Sequence, residues 1–243
     1  MEEEKQIIGS FGDVSLTKHD LQLIQAPNWF NDNIISFFVI TWNSLFVKTK
    51  TMRSGLLFFL QTWLSFLQLH KVSELFFWSL RNAKFTPSSF CLSSESNIVP
   101  NFYVSQSLRA SADPEDVQST VSQLNLLQAT LILAVVNDNQ SVTPGSRLGL
   151  ERGSHWSLLV FSRDTQTFYF VDSVGGRNNA AARSLAIKLN DAVQGGSEKR
   201  RVEIKQLHVV QQKNSYDCGV FCCTFLEKIV RLHQQGLSLV SFL

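Results

Sequence analysis

Apolar residues along this chain fall into runs of strand length separated by longer stretches of helical character. Thr130-Leu-Ile-Leu-Ala-Val-Val136 is almost wholly apolar, the pattern of a strand buried on both faces. His155-Trp-Ser-Leu-Leu-Val-Phe161 and Thr167-Phe-Tyr-Phe-Val171 read the same way, and Val202 to Val210 supplies a fourth strand-like run. Asp113-Pro-Glu-Asp opens a predicted helix to about Leu127, its acids suited to the positive end of the helix dipole. Asn178 to Val193 reads as a second helix, halted at Gly195-Gly196, and Cys218 to Gln235 as a long apolar one, halted at Gly236. Residues 1 to 20 read as a polar lead-in. Asn31 or Asp32 then caps a helix whose apolar positions begin at Ile34. Asn137 to Gly153, rich in Asn, Gly, Ser and Pro, is a predicted loop. Strands interleaved with helices predict an α+β or α/β domain, and no internal repeat is visible.

One stretch has a different character. Residues 44 to 90 are dense in Phe, Leu and Trp, and their basic residues (Lys48, Lys50, Arg53, Lys71, Arg81 and Lys84) face a single acid, Glu74. The run Leu56 to Leu69 is shorter than the roughly 20 residues a membrane span requires, and Gln61 and Gln68 interrupt it. A buried helix is one alternative. The favoured reading is an inserted or mis-spliced segment that is not part of the evolved domain.

Composition adds bounds. A chain of 243 residues can bury a core that is stable without covalent staples. A formal charge of +2 does not point to nucleic acid or a membrane as the main partner. The common phosphate-loop, dinucleotide and HExxH zinc signatures are absent. Of the cysteines Cys91, Cys218, Cys222 and Cys223, three crowd one predicted helix, and none forms a Cys-x-x-Cys pair. That pattern suits neither a disulfide framework nor a structural zinc site, so no metal or other cofactor is expected. It suits a reducing compartment, the cytosol or nucleus. The acidic start Met1-Glu-Glu-Glu-Lys leads into no signal-type apolar run.

The chemistry concentrates around Asn214-Ser-Tyr-Asp-Cys-Gly219, where polar residues give way to an apolar helical run. Cys218 therefore belongs at a helix N-terminus, where unpaired N–H groups and the helix dipole favour a thiolate. Gly219 is expected to leave the space above the sulfur open for a substrate carbonyl. Cys222 and Cys223 fall inside the helix and read as small buried hydrophobes. Among His19, His70, His155, His208 and His233, only His155 stands where a glycine-serine loop meets a buried strand. A tight turn at Arg163-Asp164 would set His155 directly opposite Asp172 across a hairpin. Read in isolation, His155 is equally a core histidine and Asp172 a strand-end turn residue. Read together with Cys218 they form a nucleophile, base and orienter. The oxyanion then needs donors: the Cys218 backbone N–H is one, and Gln211 or Gln212 supplies a side-chain amide.

The segments Gly153-Ser-His-Trp-Ser-Leu-Leu-Val160, Phe170-Val-Asp-Ser173 and Gln211-Gln-Lys-Asn-Ser-Tyr-Asp-Cys-Gly219 resemble the His, Asp and Gln/Cys motifs of the Ulp/SENP cysteine proteases. Pro27-Asn-Trp-Phe-Asn-Asp32 resembles that family's Trp-Leu-Asn-Asp motif, and the chain order of the motifs agrees. The likeness covers roughly residues 10 to 43 and 92 to 235, and is strongest to the small deneddylating branch. It implies a papain-like α+β fold with a central mixed sheet in a single domain, interrupted at about 44–90 and shortened at its C-terminus. It implies His155, Asp172 and Cys218 as a triad, with Gln212 as the oxyanion glutamine. It further implies Trp29 and Trp156 as walls of a narrow tunnel over a Gly-Gly tail, and Asp32 as a modifier-contacting acid. The partner implied is a ubiquitin-like modifier of the Nedd/RUB type, or SUMO, bound by a monomer. An inactive modifier-binding relative and a membrane-anchored form are the competing readings.

Overall fold

The computed structural model describes residues 3–25, 27–42, 98–100, 113–138, 154–194 and 202–239. The apolar stretch 44–90 and the last residues of the chain lie outside them, and so does most of the loop read at 137–153.

A five-stranded mixed sheet organises the described residues. Its strands are β3 (Ile98–Pro100), β4 (Leu131–Asn137), β5 (Trp156–Ser162), β6 (Thr167–Val171) and β7 (Ile204–Gln206), side by side in that order. The inner pairs β4–β5 and β5–β6 are antiparallel, and the outer pairs β3–β4 and β6–β7 are parallel. Each inner strand is buried along nearly its whole length. Alternate residues feed two separate cores. Leu131, Leu133, Val135, Leu158, Val160, Tyr169 and Val171 pack on one face with α2 (Asp32–Trp42) and the C-terminal helix α5 (Cys218–Gln234). Ile132, Ala134, Val136, Leu159, Phe161, Phe168 and Phe170 pack on the other with α3 (Pro114–Gln123) and α4 (Asn179–Gln194). Helices on both faces explain why the strands read as continuous apolar runs and not as alternating ones. The arrangement is α+β around a mixed sheet, as expected.

The N-terminal segment departs from the reading as a polar lead-in. Ile7–Phe11 (β1) and Val14–Thr17 (β2) form an antiparallel hairpin, with Gly12 at φ +56° in the connecting turn. The short helix α1 (Lys18–Leu23) follows. Thr17 and Asp20 close a capping box at its start. The buried Asp20 carboxylate also accepts a 2.6 Å hydrogen bond from Asn31 Nδ2. Asn31 Oδ1 in turn accepts from the Ile34 N–H, so of the two candidate caps it is Asn31 that serves α2. The strand read at 202–210 shortens to the three residues of β7, an edge strand, and the helix read to Leu127 ends at Gln123 before a 3-10 turn at Leu126–Gln128.

Candidate active site

Cys218 is the first residue of α5 and is buried, at 2% exposure. The N–H groups of a first helical turn have no acceptor within the helix. The residue before the helix, Asp217, makes no side-chain bond to them; its carboxylate instead accepts from Asn214 Nδ2 at 2.6 Å. The positive end of the helix is thus left to the sulfur. Asn214 shapes the approach further: its Oδ1 accepts from the N–H groups of Tyr216 and Asp217.

His155 lies one residue before β5, and Asp172 one residue after β6. His155 Nε2 is 2.6 Å from Asp172 Oδ1, both side chains being almost wholly buried. The register that makes this contact is not the expected one. Leu158 pairs with Val171 and Ser162 with Thr167, so the turn spans Arg163 to Gln166 and no two-residue turn sits at Arg163-Asp164. His155 is therefore two positions out of direct opposition to Asp172. A shift of two keeps both residues on the same face of the sheet, and a diagonal neighbour remains within reach of an imidazole.

Burial by itself would lower the His155 pKa. Hydrogen bonds and charge from Asp172 and from Cys218 outweigh it and raise the pKa from 6.5 to about 9. Burial would likewise raise the Asp172 pKa, but the bonds from His155, the Val174 N–H and the Asn178 N–H, with the imidazolium charge, hold it below the usual carboxylate value. Nε2 being engaged by Asp172, the other ring nitrogen is left for Cys218. The three side chains can therefore hold a thiolate–imidazolium pair anchored by a carboxylate. Cys222, a turn deeper in α5, is fully buried with its thiol donating to the Ser157 carbonyl, and burial drives the Cys222 and Cys223 pKa values well up. Neither is a competing nucleophile.

The two glutamines before the cysteine are put to different uses. Gln211 accepts from the Gly175 N–H and donates to the carbonyls of Asp172 and Val209, so it staples the loop after β6. Gln212 accepts from the Ser173 hydroxyl at 2.6 Å and donates from Nε2 to the Asn214 carbonyl at 2.7 Å. An amide nitrogen carries two N–H groups, so among the described residues Gln212 keeps one uncommitted while Gln211 has spent both.

Trp156 is buried and belongs to the core beside α5. Its indole N–H donates to the Phe30 carbonyl at 2.9 Å. Trp29, the residue before Phe30, is 44% exposed, and Asp32 opens α2 just beyond. Trp156, from β5, thus tethers the short segment that carries Trp29. Gly219 departs from expectation. A Cβ there would lie 2.7 Å from Phe30 Cβ, so the space over Gly219 is filled by Phe30 and is not open to substrate. The glycine lets the N-terminal segment dock on the helix that carries Cys218.

Two positioning groups escape a reading of sequence alone. Asp138, directly after β4, accepts from the N–H and hydroxyl of Ser154 and from the His155 N–H, fixing the backbone that enters β5. Asn178, just ahead of α4, donates from Nδ2 to the His155 carbonyl and the Ser157 hydroxyl, while its own N–H reaches the Asp172 carboxylate. An acid at a strand end and an Asn at a helix start were the only signals.

The family model of the Ulp1 protease family, C-terminal catalytic domain, matches residues 103–238. The chain belongs to the Ulp1 protease family. Among its relatives, human sentrin-specific protease 8 is 25% identical over 240 residues, covering 98% of this chain and 88% of that protein. NEDD8-specific protease 1 of Arabidopsis thaliana is 28% identical over 212 residues, covering 87% of this chain and 70% of the relative. The fold is also that of solved Ulp1 structures. The C-terminal Ulp1 protease domain in complex with Smt3, the yeast ortholog of SUMO, superposes with a TM-score of 0.57 at 17% identity, over 96% of this chain and 78% of that one. A de-sumoylating protease gives 0.52 at 15% identity, over 95% and 75%. As a Ulp1-family member this chain is a cysteine-type peptidase with a papain-like fold. Among the described residues no group of three or more His, Cys, Asp or Glu could hold a metal ion, and no helix is long and apolar enough to cross a membrane.

Proposed function

We propose that this protein cleaves after the C-terminal Gly-Gly of a ubiquitin-like modifier of the Nedd/RUB type, releasing it from precursors or conjugates. The observation that carries the chemistry is the buried His155–Asp172 pair at 2.6 Å beside Cys218 on α5. The choice of modifier is supported by the relative named NEDD8-specific protease 1, which matches 87% of the chain at 28% identity. The Smt3-bound Ulp1 domain shares the fold at 17% identity and does not bear on that choice.

In this reading the Cys218 thiolate attacks the carbonyl carbon of the terminal glycine, and the carbonyl electron pair moves onto oxygen. The Cys218 N–H and the free Gln212 N–H receive that oxyanion. His155 gives its proton to the leaving amine as the C–N bond breaks and a thioester remains. His155 then takes a proton from water, whose hydroxide displaces the sulfur and frees the modifier carboxylate. Asp172 keeps the imidazole in one orientation through both steps. Trp29, Trp156 and Asp32 are proposed to border the path of the tail, the indoles excluding any residue with a Cβ.

The test is covalent labelling by Nedd-type, SUMO and ubiquitin modifiers, each with a thiol-reactive group at its C-terminus. An adduct with the Nedd-type probe that is lost in Cys218→Ser is the expected outcome. An adduct with SUMO alone would move the substrate assignment. No adduct with any probe would favour a modifier-binding relative without activity.

A further inference from the structure

Gln212 can serve an oxyanion only if its amide presents nitrogen and not oxygen to the substrate. A glutamine amide can rotate by half a turn at little cost, so something must choose between the two. One terminal atom of Gln212 lies 2.7 Å from the Asn214 carbonyl oxygen, which can only accept; that atom must be nitrogen. The other is then Oε1, 2.6 Å from Ser173 Oγ, and the hydroxyl must donate to it. Ser173 is buried at 2% exposure, and its carbonyl also accepts the Gln212 backbone N–H at 2.9 Å. Residue 212 is therefore held to residue 173 by both main chain and side chain. The second Nε2 N–H has no acceptor among the described residues.

We infer that Ser173 is a positioning residue that locks the Gln212 amide with its free N–H toward the reacting carbonyl. This rests on the reading of Gln212 as an oxyanion donor. Asp172, which orients the base, and Ser173, which orients the donor, are then consecutive residues at the end of β6. One strand end sets both the proton-transfer geometry and the electrostatic geometry of the site. Gln211, with both N–H groups committed to the loop, cannot substitute.

The experiment compares wild type, Ser173→Ala, Gln212→Ala and the double variant. The substrate is a Nedd-type modifier bearing a C-terminal fluorogenic amide. Losing an oxyanion donor outright costs about 10²–10³ in kcat, so a donor still held by the Asn214 carbonyl but no longer fixed at its oxygen should cost about 10-fold, with KM nearly unchanged. In the Gln212→Ala background, removing the Ser173 hydroxyl should cost nothing further. Alkylation of Cys218 by chloroacetamide generates no oxyanion, so its rate should match wild type in Ser173→Ala. Ser173→Thr, which keeps the donor, should recover the rate. A Gln212→Ala variant with full kcat would remove the oxyanion reading itself. A Gln212→Ala variant that is slow beside a Ser173→Ala variant that is not would overturn the Ser173 assignment alone. A fall in the alkylation rate of Ser173→Ala, or the same factor lost in both backgrounds, would also overturn it.

Discussion

Phe30 and Gly219 touch so closely that no side chain can be added at the glycine: the position of its Cβ lies 2.7 Å from Phe30 Cβ. The obstacle is the first carbon of the Phe30 side chain, which moves only with its backbone. Gly219→Ala should therefore push the segment carrying Trp29 off the start of α5. The expected cost is about 1–3 kcal/mol of stability, read by chemical denaturation, together with slower labelling by the Nedd-type probe. Phe30→Gly in the same chain removes that carbon, so Gly219→Ala should cost less in the Phe30→Gly background than in wild type, which a glycine required only for substrate access would not show.

The His155–Asp172 bond predicts a pH signature. The folded His155 pKa of about 9 lies above its ordinary 6.5, so the stabilisation is complete below about pH 6.5 and vanishes as pH rises through about 9. Asp172 has the opposite sense: its lowered pKa gives stability above about pH 3.8 that is lost as pH falls through the folded value. The activity profile should keep its imidazolium-dependent plateau until close to pH 9. In Asp172→Asn the basic limb should move toward acid, and kcat should fall by roughly 10²–10⁴-fold. A basic limb at the same pH in both proteins would contradict the pairing.

Cys218→Ser should abolish thioester formation, whereas Cys222→Ser should leave most of it. Cys222 donates only to the Ser157 carbonyl, a role a hydroxyl can take over. Equal losses in two folded variants, measured by single-turnover labelling, would refute a single nucleophile.

Trp156→Phe keeps an aromatic ring in the core and removes the bond to the Phe30 carbonyl. The expected loss of stability is about 1 kcal/mol. KM for the modifier should rise more than kcat falls, because the segment bearing Trp29 loses a tether. Kinetics unchanged on both counts would confine Trp156 to packing.

Much of the fold is legible in the chain because β4, β5 and β6 are covered on both sides. Residues such as Leu131 and Ile132 go to opposite cores yet are both apolar, so each strand stands out as a run. The first hairpin is harder to see because Ile7 and Ile8 are exposed and its alternation is weak; Gly12-Asp13 was the available turn signal. The β5–β6 register was misjudged because the turn places Gln166, not a glycine, at φ 51°. Cys218, His155 and Asp172 were legible because each sits at the boundary of an element, where a change of character marks the position. Asn178 and Asp138 were not, since their roles rest on hydrogen bonds between chain segments that sequence spacing does not reveal.

The docking of residue 30 on residue 219 also bears on when the enzyme becomes an enzyme. The segment holding Trp29 emerges early in synthesis, and the helix carrying Cys218 emerges late. The Trp156–Phe30 bond and the Phe30–Gly219 contact join sites separated by 126 and 189 positions in the chain. Such long-range closure is slow and depends on the rest of the sheet being in place. Until both contacts close, a nascent chain that already holds His155 and Asp172 still lacks Cys218 and the segment docked beside it.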